Sequence, residues 1–253
     1  YPLIGVGLIK YFGWSNSWVF LSIIYMILLI PLTLWLLKGH TKRHDLYLEK
    51  YSVKSNKKTL NSNDYSVKSM LSELRFYLII PALLAPSFLL TGVIFHQVKI
   101  IEAKDWSLSI FASGYFGMAI ASFLTSLAIG TLVDKWRAIN LLPFILMPLA
   151  IALWIINYFQ AEFFGFIYLI CVGSSLGASF TVAGAIWPEL YGTTNLGAIK
   201  SLAKAMNVFA SAMSPWIFGL LFDKGFGILE ISYLSLSIII VAGILVKLAQ
   251  KYA

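Results

Sequence analysis

Residues 18–37 read WVFLSIIYMILLIPLTLWLL. No charged side chain interrupts these 20 residues. A helix of that length spans about 30 Å, the thickness of a bilayer's hydrocarbon core. Backbone N–H and C=O groups in lipid must be paired within the chain, so a run of this kind crosses as a helix. Comparable runs follow at Phe76–Val98, Leu108–Val133, Ile139–Phe159, Phe164–Trp187, Leu202–Phe222 and Leu229–Leu248. The pattern predicts seven spanning helices, six of them after residue 75. Tyr1–Phe12 is apolar but shorter than a span. It reads as the remnant of a further helix that begins upstream.

Composition agrees. Of 253 residues, 59% are hydrophobic and only 12% charged, where soluble domains carry roughly 25% charged residues. The formal net charge of +8 would suggest nucleic acid in a soluble protein. Here it reads as loop charge that sets topology, with the lipid bilayer as partner and no nucleic acid. The single cysteine, Cys171, lies inside an apolar run, which excludes an internal disulfide and a cysteine metal cluster.

The distribution of lysine and arginine orients the chain. With the polar stretch after Leu37 in the cytoplasm, 15 of the 19 basic residues fall on the cytoplasmic side. Only Lys10, Lys99, Lys104 and Lys224 fall on the other. The positive-inside rule selects this orientation, with the C-terminus also cytoplasmic. Residues 38–75 form the one long polar stretch and read as a linker. Within it Tyr51-Ser52-Val53-Lys54-Ser55 recurs as Tyr65-Ser66-Val67-Lys68-Ser69. That repeat is either a surface motif or a duplication in a tolerant segment.

Gly130-Thr131-Leu132-Val133-Asp134-Lys135-Trp136-Arg137 closes the second span after residue 75. It resembles the loop signature of the major facilitator superfamily, Gly-x-Leu-x-Asp-Arg-x-Gly-Arg-Arg, at Gly130, Leu132, Asp134 and Lys135. It departs from that signature at Arg137, where the family has glycine, and at Ala138 and Ile139, where it has basic residues. Gly13-Trp14 is similar to the turn between the family's fifth and sixth helices. Pro81–Pro86 with Phe95-His96-Gln97, Trp187–Gly192 and Leu196–Lys200 resemble a bacterial subgroup of the same superfamily.

The resemblance implies an all-α integral membrane fold. Residues 1–37 would be a partial fifth helix and the sixth, 38–75 the cytoplasmic linker, and 76–253 the six-helix C-terminal half. It implies a multi-pass protein of the plasma (inner) membrane that moves a small solute by alternating access. The missing N-terminal half of the same transporter would complete the cavity, and protons or a counter-ion are candidate coupling partners. No cofactor and no metal is implied.

Polar groups inside a bundle mark the cavity, because lipid rejects them. Lys200, Lys204, Asn207, Ser211 and Ser214 are spaced 4, 3, 4 and 3 and share one helix face. They line a cavity or bond helix to helix, and the two lysines have the further option of snorkelling to the surface. Phe88, Thr91 and Phe95 share a face of the first helix after the linker, followed by His96 and Gln97. His96 reads as a substrate or proton ligand, or as a hydrogen-bonded residue at the external mouth. Tyr115, Ser175 and Ser179 complete the candidate binding set. Gly130, Asp134, Lys135 and Glu189 are the candidate gating residues at helix ends. Gly173, Gly177 and Gly184 read as positions where helices approach closely. The spans hold no carboxylate at mid-membrane, so an acid used for coupling would lie elsewhere.

Enzymes and pumps fit poorly. The chain contains no His-Glu-x-x-His and no Gly-x-x-x-x-Gly-Lys-Ser/Thr sequence, the arrangements that metal hydrolysis and nucleotide binding require. A permease subunit served by a separate ATPase and a non-transporting receptor or scaffold remain the alternatives. ATP dependence of uptake separates the first and absence of uptake the second.

Overall fold

The computed structural model describes residues 2–46 and 65–252. The first repeat copy, Tyr51–Ser55, and most of the polar stretch lie outside the described residues. Among the described residues, seven helices are long and apolar enough to cross a membrane, and there are helices and turns without strands. The chain divides into two compact units, Tyr1–Ser62 and Asn63–Ala253.

In the first unit, α1 (Pro2–Leu37) takes in both the short run and the first span. It is broken at Gly13, whose φ of 72° and ψ of 170° suit a residue without Cβ. Phe12 and Phe20 stack at 5.6 Å, although eight residues of straight helix would separate them by about 12 Å. The chain therefore turns at Gly13, where the sequence pattern places a turn. Gly39, at φ 77°, ends α1 with the left-handed residue common after helices. A further helical stretch, α2, covers 40–46.

The second unit begins with α3 (Val67–Leu71), capped by Ser66, whose side chain accepts from the Ser69 N–H. Then come α4 (Leu74–Phe95), α5 (Gln97–Lys104) and α6 (Leu108–Lys135). The next span is divided into α7 (Ala138–Leu141), a 3-10 turn at Leu142–Phe144, and α8 (Met147–Tyr158). Last are α9 (Phe163–Tyr191), α10 (Leu196–Asp223) and α11 (Ile228–Ala249). The predicted run Phe76–Val98 is corrected here. The helix stops at Phe95, His96 leaves the helical region, and Gln97 starts the amphipathic α5. The predicted Ile139–Phe159 helix is also corrected. Pro143 and Pro148 sit in its 3-10 turn and in the first turn of α8, where a missing N–H costs least.

Helix neighbours follow the order α6, α9, α8, α11, α4, α10, each packing on the next. The exterior is apolar. Phe116, Phe209, Trp216 and Ile240 are each at least 60% exposed, a surface suited to lipid. The interior holds Ile79, Leu89, Leu149, Val172, Val182 and Val246. Its buried serine hydroxyls are satisfied by carbonyls. Ser175 donates to Ile145 O, Ser232 to Leu153 O and Ser235 to Ile231 O. Such bonds let a polar side chain sit inside a bundle without a desolvation penalty.

The tightest contact is α6 on α9. A Cβ added to Gly173 would lie 2.2 Å from Met118 O, and one on Gly177 2.1 Å from Ser122 O. Only glycine permits this approach. One turn further, Thr181 and Ser126 share a hydroxyl–hydroxyl bond of 2.8 Å. Gly184 has nothing within 4 Å of an added Cβ, so the close seam ends at Thr181.

Candidate functional site

The polar face of α10 opens onto a groove walled by α4 and α9. Two adjoining cavities of about 310 and 350 Å³ occupy it. Both are bounded by Leu83 of α4, Phe180 and Ala183 of α9, and Lys204 and Asn207 of α10. Lys200 reaches one of them, and Thr91, Ser179 and Ser211 the other. The groove exists because α9 and α10 touch only sparsely while both pack against α4.

Its polar groups are few and specific. Thr91 and Ser211 face each other across α4 and α10 at 2.9 Å. Ser179 donates to Ser175 O at 2.6 Å, so its hydroxyl keeps acceptor capacity. The Asn207 Oδ1 atom is buried and unpaired. Lys200 and Lys204 are the groove's only charged lining residues, and both are exposed. At its far end the stripe closes: Ser214 is fully buried and donates to Phe88 O. One face of α10 thus lines the cavity over Lys200–Ser211 and bonds helix to helix at Ser214. Both options that the spacing left open are used, at different heights.

The remaining candidates are dispersed. Phe88 stands edge-on to Phe218 at 5.8 Å, and Phe95 is 66% exposed. His96 Nε2 lies 3.1 Å from Pro215 O, so that nitrogen carries the proton it donates. Its ring tilts against Phe222 at 5.0 Å. His96 therefore ties the end of α4 to the proline of α10, away from the groove. Tyr115 donates to Gln97 Oε1, joining α6 to α5. Ser175 is buried against Ile145 and does not reach the groove. Sequence reasoning did not select Phe180 or Ser87. Ser87 lies four residues before Thr91, a spacing that could have found it.

A third cavity, about 510 Å³, lies between α6 and α9. Tyr115, Ser122, Ser126 and Phe123 line it on the α6 side, and Leu176 and Phe180 on the α9 side.

The loop motif sits at the end of α6. Asp134 and Lys135 are exposed, and Gly130 has open space around it. Arg137, the position at which the motif departs from the family's glycine, pairs with Glu189 of α9 at 3.2 Å. The other Glu189 oxygen accepts the Ala138 N–H, which caps α7. At the same end the segment before α4 is strapped to α9. The Tyr65 N–H donates to Tyr191 O at 3.2 Å, and the Asn195 side chain donates to Tyr65 O at 2.9 Å. Arg75 lies over the Tyr191 ring at 5.3 Å and pairs with Glu73. The Glu73 side chain and burial raise the Tyr65 hydroxyl above its ordinary pKa. Burial lowers that of Lys104 in α5.

The family model described as Major Facilitator Superfamily matches residues 1–215. No curated protein and no solved structure matches the chain.

Proposed function

The chain belongs to the Major Facilitator Superfamily, a family of membrane transporters, and on that premise we propose that it carries a small organic anion across the plasma (inner) membrane by alternating access. It is a multi-pass membrane protein with seven spanning-length helices. In the proposed arrangement residues 1–37 end the N-terminal half, 38–75 form the cytoplasmic linker, and 76–253 form the C-terminal half.

One observation carries this reading. In a bundle whose surface and core are apolar, the groove among α4, α9 and α10 gathers Lys204, Asn207, Thr91 and Ser211. Its lining includes no carboxylate. Polar side chains at this depth face a water-filled path or a partner, since lipid penalises them. A cationic groove without acids favours an anionic cargo. Arg137–Glu189 ties the α6–α7 turn to the end of α9, a contact that gating would make and break.

The test is uptake of a labelled metabolite panel by vesicles carrying the protein, with and without a pH gradient. Saturable uptake of organic anions is expected. Collapse on removing the gradient assigns proton coupling, and gradient-independent equilibration assigns facilitated transport. Uptake that requires ATP, or binding without uptake for every anion in the panel, overturns the reading.

A further inference from the structure

Phe180 borders all three cavities described above. Its ring is 65% exposed. It stands on α9 between two unlike compartments. On the α10 side are Lys204, exposed and cationic, and Asn207, whose carbonyl oxygen is buried without a donor. On the α6 side the wall carries no charge. Most of its polar groups are already engaged: the Ser126 hydroxyl with Thr181, and the Tyr115 hydroxyl with Gln97. What remains there is an apolar shelf formed by Phe123, Leu176 and Phe180.

Each compartment asks for a different part of one molecule. A cation without a neighbouring acid selects an anionic group. An unpaired buried carbonyl selects a hydrogen-bond donor, because leaving it empty retains its desolvation cost. An exposed aromatic face beside an uncharged wall selects a planar or bulky apolar body. Lys204 and Asn207 are three residues apart on one helix face, so the anion and the donor sit next to each other in the cargo.

Resting on the transport reading above, we propose that the cargo is an organic anion with a hydroxyl or N–H donor adjacent to the anionic group and an aromatic or bulky apolar body. Its head lies between Lys204 and Asn207, and its body lies against Phe180. Phe180 is then the residue that sets specificity for the body of the substrate.

Four probes separate these features. Mandelate has the carboxylate, the adjacent hydroxyl and the phenyl ring. Phenylacetate lacks the hydroxyl, lactate lacks the ring, and 1-phenyl-1,2-ethanediol lacks the charge. Binding is measured on the purified protein in detergent, and uptake in vesicles. Mandelate should bind about tenfold more tightly than each of the other three, the discrimination that a missing group of this size supports. Phe180→Ala should erase the mandelate-to-lactate ratio. Phe180→Leu should restore only part of it. Asn207→Leu should erase the mandelate-to-phenylacetate ratio. Equal binding of mandelate and lactate, no binding of mandelate, or indifference to Phe180→Ala overturns the inference. Mandelate binding that depends on Phe180 without uptake keeps the inference and removes the transport reading. Uptake of other anions without this discrimination does the reverse.

Discussion

Helix α9 makes two opposite kinds of surface within 29 residues. Through Gly173, Gly177 and Thr181 it closes on α6 so tightly that backbone meets backbone. Through Ser179, Phe180 and Ala183 it stands away from α10 and leaves the groove. The first surface is built by removing side chains, the second by keeping polar and aromatic ones. In a bilayer no hydrophobic force drives helices together, so contact depends on shape and on a few hydrogen bonds. Small residues and paired hydroxyls therefore decide where helices join, and the larger side chains of Phe180 and Lys204 border the place where they stay apart. One helix can anchor a fold with one side and line a solute path with the other.

The comparison breaks most readily at its closed side. Gly177→Leu should be the most damaging change, since its Cβ alone collides with Ser122 O. Overpacking of this kind costs typically about 1–3 kcal/mol, and here the obstructing atom is backbone. Loss of monodisperse protein and a lowered Tm in detergent would report it. Gly184→Ala is the matched control: it meets nothing within 4 Å and should leave Tm unchanged. Equal tolerance of both substitutions would contradict the seam.

On the open side the expected effects are functional. Lys204→Gln should preserve folding, because Lys204 is exposed. Hydrogen bonds to charged groups contribute about 1.5–3 kcal/mol, so anion uptake should fall about ten- to hundredfold, mainly through KM. His96→Phe removes the bond to Pro215 O and should lower stability by about 1 kcal/mol. It should leave KM for the transported anion unchanged, because His96 lies outside the groove. Thr181→Val deletes the hydroxyl pair with Ser126 and should cost only about 0.6 kcal/mol, the average measured for such bonds between membrane helices. Tm measurements on these two variants rank them against Gly177→Leu.

The spans were legible because length and the absence of charge suffice to identify a crossing helix. Their ends were less so. Hydropathy runs smoothly through Pro143, where backbone geometry rather than polarity interrupts the helix, and the predicted run Phe76–Val98 extends three residues past the helix end at Phe95. It also starts α10 late: the helix begins at Leu196 and already includes Lys200, which lies before the apolar run. The α10 stripe was readable from its 4-3-4-3 spacing, and that spacing brings Lys204, Asn207 and Ser211 to one groove. Spacing could not separate Ser175 from Ser179. They lie one turn apart on nearly the same face. Ser175 meets Ile145 and Ser179 meets the groove. The same limit applied to Gly184, which shares a side with Gly177 but lies beyond the point where α6 parts from α9. Phe180 was invisible for another reason. An aromatic residue inside an apolar helix carries no periodic signal that separates a cavity wall from a lipid face.

The central claim is that the α4–α9–α10 groove is a solute path that opens alternately to the two sides of the membrane. Its most direct test is thiol labelling on a Cys171→Ala background, which removes the single native cysteine. Ser211→Cys, within the groove, is compared with Ile240→Cys on the apolar exterior of α11. A membrane-impermeant maleimide is applied from either side of sealed vesicles. The account predicts that Ser211→Cys is labelled from both sides, that saturating transported anion protects it, and that Ile240→Cys is labelled from neither. Labelling of Ser211→Cys no faster than Ile240→Cys from both sides would contradict it.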